Sequence, residues 1–204
     1  MHPMRGLPGC LPGGVHFPAE GVAQKRVRVI GGKRVKQSFI MIAGFVAWLL
    51  GSSAAMALVV GDKVPDISVP STGGADVNIS QSEGWKIVYF YPKSFTPGCT
   101  QQACGLRDSY AALSELGVTV YGVSTDNLDK QNKFKAEYKL PFELLADNDK
   151  KLSEGFGVMG MMGFSKRVTF LVNPEGVVTD IIDSVSVGSH DADVIRLLKE
   201  RTGK

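Results

Sequence analysis

The chain has 204 residues, 44% of them hydrophobic and 21% charged, which suits one or two ordinary globular domains. Its formal net charge of +3 is unevenly spread: residues 1–57 hold seven of the 23 Lys/Arg and one of the 20 acidic residues, leaving 16 basic and 19 acidic in the rest. A mildly acidic globular part with scattered lysines gives no ground for a nucleic-acid-binding protein, and the basic excess belongs to a targeting signal.

Residues 38–50 are apolar, follow Lys33, Arg34 and Lys36, and precede a small-residue run that ends in Ala55-Met56-Ala57. A basic region, an apolar core and an Ala-x-Ala site define a secretory signal peptide, with the cut expected between Ala57 and Leu58. The chain is therefore expected in a bacterial periplasm. Extending the apolar run through Val60 gives ~22 residues, enough for an uncleaved membrane anchor, which is the alternative. Residues 1–34, Pro/Gly-rich and then basic, read as a gene-start artefact with translation starting at Val35; Cys10 falls in this part. The expected domains are a leader over 1–57 and one globular domain over 58–204.

Extended segments are expected at 61–70 and 75–79 around the turn Ser71-Thr72-Gly73-Gly74. Residues 85–91 (Trp-Lys-Ile-Val-Tyr-Phe-Tyr) read as a buried strand, and 97–116 as a helix stopped by Gly117. A strand at 118–123, a Lys-rich helix at 127–139 ended before Pro141, a strand at 142–146 and a short helix at 148–155 follow. Strands at 167–172 and 177–182 flank Asn173-Pro174-Glu175-Gly176, a hairpin turn, and 191–201 is a closing helix. Alternating strands and helices with a late hairpin predict an α/β fold: a central mixed sheet with helices on both faces.

The chemistry centres on Cys99 and Cys104 at the start of the helix over 97–116. Thr96 is a good N-cap and Pro97 fits the first helical position. Cys99 then lies in the first turn, where unpaired N–H groups and the helix dipole favour a thiolate, the nucleophilic form. Cys99, Ala103, Leu106, Tyr110 and Leu113 recur on one apolar stripe, with Cys104 one residue off it. In an intact helix the two Cα atoms stand about 8–9 Å apart, beyond the ~7 Å limit for a disulfide, so pairing requires the first turns to unwind. Inert core thiols or a structural disulfide formed after export remain open on these residues alone. A zinc site fits poorly, because the globular part offers only these two cysteines and His190.

These residues carry a resemblance. Pro92-x3-Thr96-x2-Cys99, within Phe90-Tyr91-Pro92-Lys93 and Thr96-Pro97-Gly98-Cys99-Thr100 through Ala103-Cys104-Gly105-Leu106-Arg107-Asp108, resembles the peroxiredoxins of the bacterioferritin comigratory protein (peroxiredoxin Q) subfamily. Arg167-Val168-Thr169-Phe170-Leu171-Val172 is similar to the strand that carries the family's active-site arginine. The resemblance covers roughly residues 60–203 and implies a thioredoxin-like fold and thiol-dependent reduction of hydrogen peroxide and organic hydroperoxides.

It further implies Cys99 as the attacking cysteine, Thr96 bonded to its sulfur and to the peroxide, and Pro92 shielding the site. Arg167 would stabilise the thiolate and polarise the O–O bond. Cys104 would resolve the Cys99 sulfenic acid as an intramolecular disulfide, and a thioredoxin-like dithiol would restore both thiols. No metal, haem, flavin or nucleotide is implied, and the expected assembly is a monomer or weak dimer. Two alternatives are a general thiol–disulfide oxidoreductase, which prefers Cys-x-x-Cys, and an exported redox sensor or binding module switched by a Cys99–Cys104 disulfide.

Other signals are weaker. Gly155-Phe156-Gly157-Val158-Met159-Gly160 spells G-x-G-x-x-G, but a dinucleotide loop needs a strand before it and a helix after it. Met159, Met161 and Met162 are expected to pack beneath a flexible loop, the alternative being an adaptable patch for a reductase, a subunit or a bulky hydroperoxide. Asp126, Asp129, Asp147 and Asp149 read as turns or caps, His190 as a surface or cap-adjacent residue, and Lys130, Lys133, Lys135 and Lys139 as a solvated helix face.

Overall fold

The computed structural model describes residues 57–203. The leader and signal segment expected over 1–57, apart from Ala57, lie outside the described residues, as does Cys10. Among the described residues no helix is long and apolar enough to cross a membrane.

A short antiparallel pair opens the fold, β1 (Ser68–Pro70) with β2 (Asp76–Asn78), followed by one 3-10 turn at Ile79–Gln81. The main sheet is built from β3 (Trp85–Phe90), β4 (Val118–Ser124), β5 (Glu143–Ala146), β6 (Val168–Val172) and β7 (Val178–Ile182). Its order is β5-β4-β3-β6-β7, parallel from β5 to β3 and antiparallel across β6 and β7. Helices α1 (Pro97–Asp108), α2 (Tyr110–Glu115), α3 (Leu128–Tyr138), α4 (Lys151–Gly155) and α5 (His190–Thr202) complete the chain. The expected α/β class, mixed sheet and late hairpin are all present.

Strand β3 is central and covered on both faces, which is why its sequence reads as a continuous apolar run. Ile87 and Tyr89 face a core with Cys99, Ala103 and Leu106 of α1, Leu113 of α2, Phe134 of α3, and Val194 and Leu198 of α5. Val88 and Phe90 face a second core with Val69, Leu152, Phe156 and Phe170. The alternation is the strand's two-residue period. Gly122 on β4 leaves room for this packing, since a Cβ there would lie 2.5 Å from the Tyr89 hydroxyl.

The helix expected over 97–116 is two helices. Ser109 stands between them at φ −92, ψ 5, and its hydroxyl donates to Asp191 Oδ2 at 2.6 Å. A serine that bonds outward to α5 competes with helical continuity, and nothing in the local sequence announces the distant carboxylate. Helix α3 behaves as expected: Asn127 caps it by accepting from Lys130 N, and Lys139 ends it in the left-handed region.

Candidate active site

The loop between β3 and α1 is held from two sides. Ser94 N donates to Asp126 Oδ2 at 2.7 Å, and burial, which pushes that carboxyl up, is outweighed by Lys130 and Ser94, so it lies below the usual range. Phe95 has φ 67, a strained conformation for a non-glycine residue, and is braced by ring contacts with Phe134 at 5.2 Å and Tyr138 at 6.2 Å. Beneath it the Tyr91 hydroxyl donates to Gln131 Oε1, and Gln131 Nε2 donates to Ser124 Oγ and Leu145 O. These contacts fix Pro92 and Thr96 at the mouth of α1.

Cys99 falls in the first turn of α1, a free thiol with 1% of its surface exposed. Thr100 N bonds to Thr96 O at 2.9 Å, so Thr96 is the N-cap by backbone, with Pro97 next. The Thr96 side chain departs from expectation. Its hydroxyl donates to Lys93 O at 2.9 Å and neither caps the helix nor bonds the Cys99 sulfur. A loop carbonyl three residues back is a strong acceptor, and a hydroxyl donating there keeps its lone pairs for an incoming O–H.

Arg167 reaches the site through strand register. Phe90, the last residue of β3, pairs with Val168, the first of β6, so the residue before Val168 sits beside the start of the loop. From there Arg167 Nη2 lies 3.2 Å from Cys99 Sγ, and Arg167 Nη1 donates to Gln102 Oε1. The guanidinium lies over Gly98, where a Cβ would meet Arg167 Nη2 at 3.4 Å, an ordinary van der Waals contact. Lys93 caps the Phe164 ring at 5.6 Å, tying the loop to the segment that leads into Arg167.

Sequence reasoning missed Gln102 and misplaced His190. His190 is cap-adjacent as expected, at the start of α5, but it is 1% exposed rather than on the surface. Gln102 Nε2 lies 3.3 Å from His190 Nδ1, and His190 Nε2 lies 2.8 Å from Thr169 Oγ1. Burial pushes the His190 pKa down to about 4, with Arg167 adding to the fall and Asp191 and Asp193 opposing it. Two signals were available: Gln102 follows Cys99 by three residues, one helical turn, and His190, Val194 and Leu198 recur at four-residue spacing on a buried stripe.

Cys104 also differs in one respect from its expected place off the apolar stripe. It is 5% exposed and belongs to the same core as Cys99. Both cysteines lie within the continuous α1, and Cys99 is a free thiol, so the two are not joined in this state. Met161 and Met162 contradict the packing expectation at 90% and 89% exposed. They lie in a second short 3-10 segment, Met161–Gly163, which the left-handed Met162, φ 63, interrupts. The G-x-G-x-x-G stretch follows α4 and leads towards β6, the wrong context for a dinucleotide. Asp147 does cap, accepting from Leu152 N and Ser153 N at the start of α4.

A buried thiol at a helix N-terminus, faced by a guanidinium and reached through a loop pinned on both sides, is an arrangement suited to thiol chemistry. Residues 60–181 match the model of the AhpC/TSA family, and the chain belongs to that family. It is 40% identical over 148 residues to the peroxiredoxin Bcp of Escherichia coli K12, covering 69% of this chain and 95% of that one. It is also 40% identical over 157 residues to the peroxiredoxin Bcp of Bacillus subtilis 168, covering 73% of this chain and all of that one. Among solved structures it is similar to the Xanthomonas campestris bacterioferritin comigratory protein, studied for alkyl peroxide reduction, at 29% identity and a TM-score of 0.66 over 71% of this chain and 99% of that one. The chain is thus an enzyme of the peroxiredoxin class.

Proposed function

We propose that Cys99 reduces hydrogen peroxide and organic hydroperoxides and that Cys104 resolves the product. The Cys99 thiolate attacks the distal peroxide oxygen, forming an S–O bond as the O–O bond breaks. The electron pair of that bond leaves with the alkoxide or hydroxide, which takes up a proton to become an alcohol or water. Arg167 stabilises the thiolate and the charge that develops on the leaving oxygen. Thr96 accepts from the peroxide O–H, and Pro92 with the strained Phe95 keeps bulk water from the sulfur. The Cys104 thiolate then attacks the Cys99 sulfenic acid; the S–S bond forms as the S–O bond breaks, and the hydroxide released takes up the proton that Cys104 gave to solvent and leaves as water. A thioredoxin-like dithiol reduces that disulfide by two exchanges.

The observation that carries this reading is the 3.2 Å approach of Arg167 Nη2 to a buried thiol in the first turn of a helix. Its test is peroxide consumption by the full chain with a dithiol reductant, for wild type, Cys99→Ser and Cys104→Ser. Cys99→Ser is expected to be inactive, while Cys104→Ser keeps activity only where a small thiol can take the place of Cys104. Undiminished consumption by Cys99→Ser overturns the assignment, and slow consumption by wild type favours a redox sensor switched by the same disulfide.

Residues 1–57 act as a leader cut after Ala57, releasing a single-domain monomer or weak dimer into the periplasm, or anchoring it at the membrane if the segment is retained. N-terminal sequencing of the exported protein is expected to begin at Leu58.

A further inference from the structure

The hydrogen bonds around Arg167 run in one direction. Guanidinium nitrogens only donate, so the Gln102 atom facing Arg167 Nη1 is Oε1 and the amide NH2 faces His190. That NH2 also only donates, so His190 Nδ1 must accept and carry no proton. The neutral ring then holds its proton on Nε2 and donates to Thr169 Oγ1 at 2.8 Å. Gln102, His190 and Thr169 are each at most 1% exposed, so water has no ready access to replace these bonds.

We propose that His190 is a positioning residue for the peroxide reaction: its neutral Nδ1 orients the Gln102 amide, which in turn holds the Arg167 guanidinium against Cys99. This rests on Cys99 as the attacking thiol. Among the described residues the other hydrogen bond of Arg167 goes to Gln102, so the aim of the guanidinium depends on which end of that amide it meets. A protonated His190 presents a donor to a donor. Relieving that clash flips the amide and turns its NH2 towards Arg167, again donor against donor. The charged groups that bear on the ring are Asp191 and Asp193 of its own helix and Arg167 from the start of β6, with Tyr89 of β3 at 6.4 Å between ring centroids. Burial dominates among them and favours the neutral ring on which the chain depends.

The chain is also tied to the redox state. Gln102 lies between Cys99 and Cys104, so opening α1 to join the cysteines withdraws Gln102 from both His190 and Arg167. The device therefore assembles while α1 is continuous and comes apart when α1 opens to join Cys99 to Cys104.

The test uses the reduced full chain and rapid-mixing measurement of the peroxide step, with Cys99→Ser as the reference for Cys99 chemistry. His190→Leu removes the acceptor while keeping bulk, and is expected to slow the peroxide step by up to about ten-fold, the scale of one lost buried hydrogen bond. His190→Asn places Oδ1 where Nδ1 stood and recovers most of the lost rate. Gln102→Leu with His190→Leu is no slower than Gln102→Leu alone, since both act through one chain. Nitrogen NMR of wild type shows the Nε2–H tautomer in the dithiol form and a changed His190 signal in the disulfide form. An inactive Cys99→Ser beside a His190→Leu of full rate overturns the positioning role alone, whereas an active Cys99→Ser overturns the reading beneath it. If His190→Leu does not fold, a wild-type Nδ1–H tautomer, or a His190→Asn slowed ten-fold, overturns the proposal.

Discussion

Replacing His190 with asparagine separates the pH dependence of folding from that of catalysis. Burial lowers this histidine from 6.5 to about 4, against the pull of Asp191 and Asp193. Between those two values the unfolded chain binds a proton that the folded chain does not, so stability falls as pH falls through that window. The single-site expression gives a loss of about 2.5 kcal/mol on going from neutral pH to about pH 4.5. Against about 5–15 kcal/mol for a whole domain this is a large share. Urea unfolding of the reduced chain at both pH values gives four free energies. Wild type is expected to lose about 2.5 kcal/mol more than His190→Asn over that interval, because asparagine has no proton to take up and its other costs do not vary with pH. Equal losses in the two proteins would mean that the folded state accepts the proton without strain, and the directional chain from Thr169 to Arg167 would then be wrong.

Arg167→Met removes a charge-assisted contact to a buried sulfur and is expected to slow the peroxide step about ten- to hundred-fold, read by stopped flow. Asp126→Ala leaves Ser94 N without its acceptor and is expected to cost about 1–2 kcal/mol in urea unfolding; its ion pair with Lys130, partly exposed, adds little. Asp126→Asn keeps an acceptor and is expected to be milder. Oxidation by one equivalent of peroxide is expected to raise amide hydrogen exchange over residues 99–104 relative to the dithiol form, while the end of α1, tied to α5 through Ser109 and Asp191, stays protected.

What could be read beforehand follows from how local each feature is. The continuous apolar run of β3, the cap sequence before Cys99 and the turn between β6 and β7 act within a few residues, so periodicity and turn chemistry located them. Arg167 was reachable only through the family resemblance, since its approach to Cys99 depends on the pairing of Phe90 with Val168, 78 positions further along the chain. The break at Ser109 depends on Asp191, which is 82 residues away. The partners of His190 are 21 and 88 residues away, so no window around it reveals that it is buried and bonded. The left-handed Phe95 was invisible for the same reason, because its bracing rings, Phe134 and Tyr138, belong to α3.

The central claim is that Cys99 attacks and Cys104 traps, at the expense of the first turns of α1. Its most direct measurement is peptide mass mapping of the full chain, reduced, treated with one equivalent of hydrogen peroxide, and quenched with a thiol-blocking reagent. The account predicts a peptide pair joined between Cys99 and Cys104 in wild type and a trapped Cys99 sulfenic acid in Cys104→Ser. A blocked, unoxidised Cys99, or a disulfide that joins Cys10 to Cys104 and leaves Cys99 as a thiol, would contradict it.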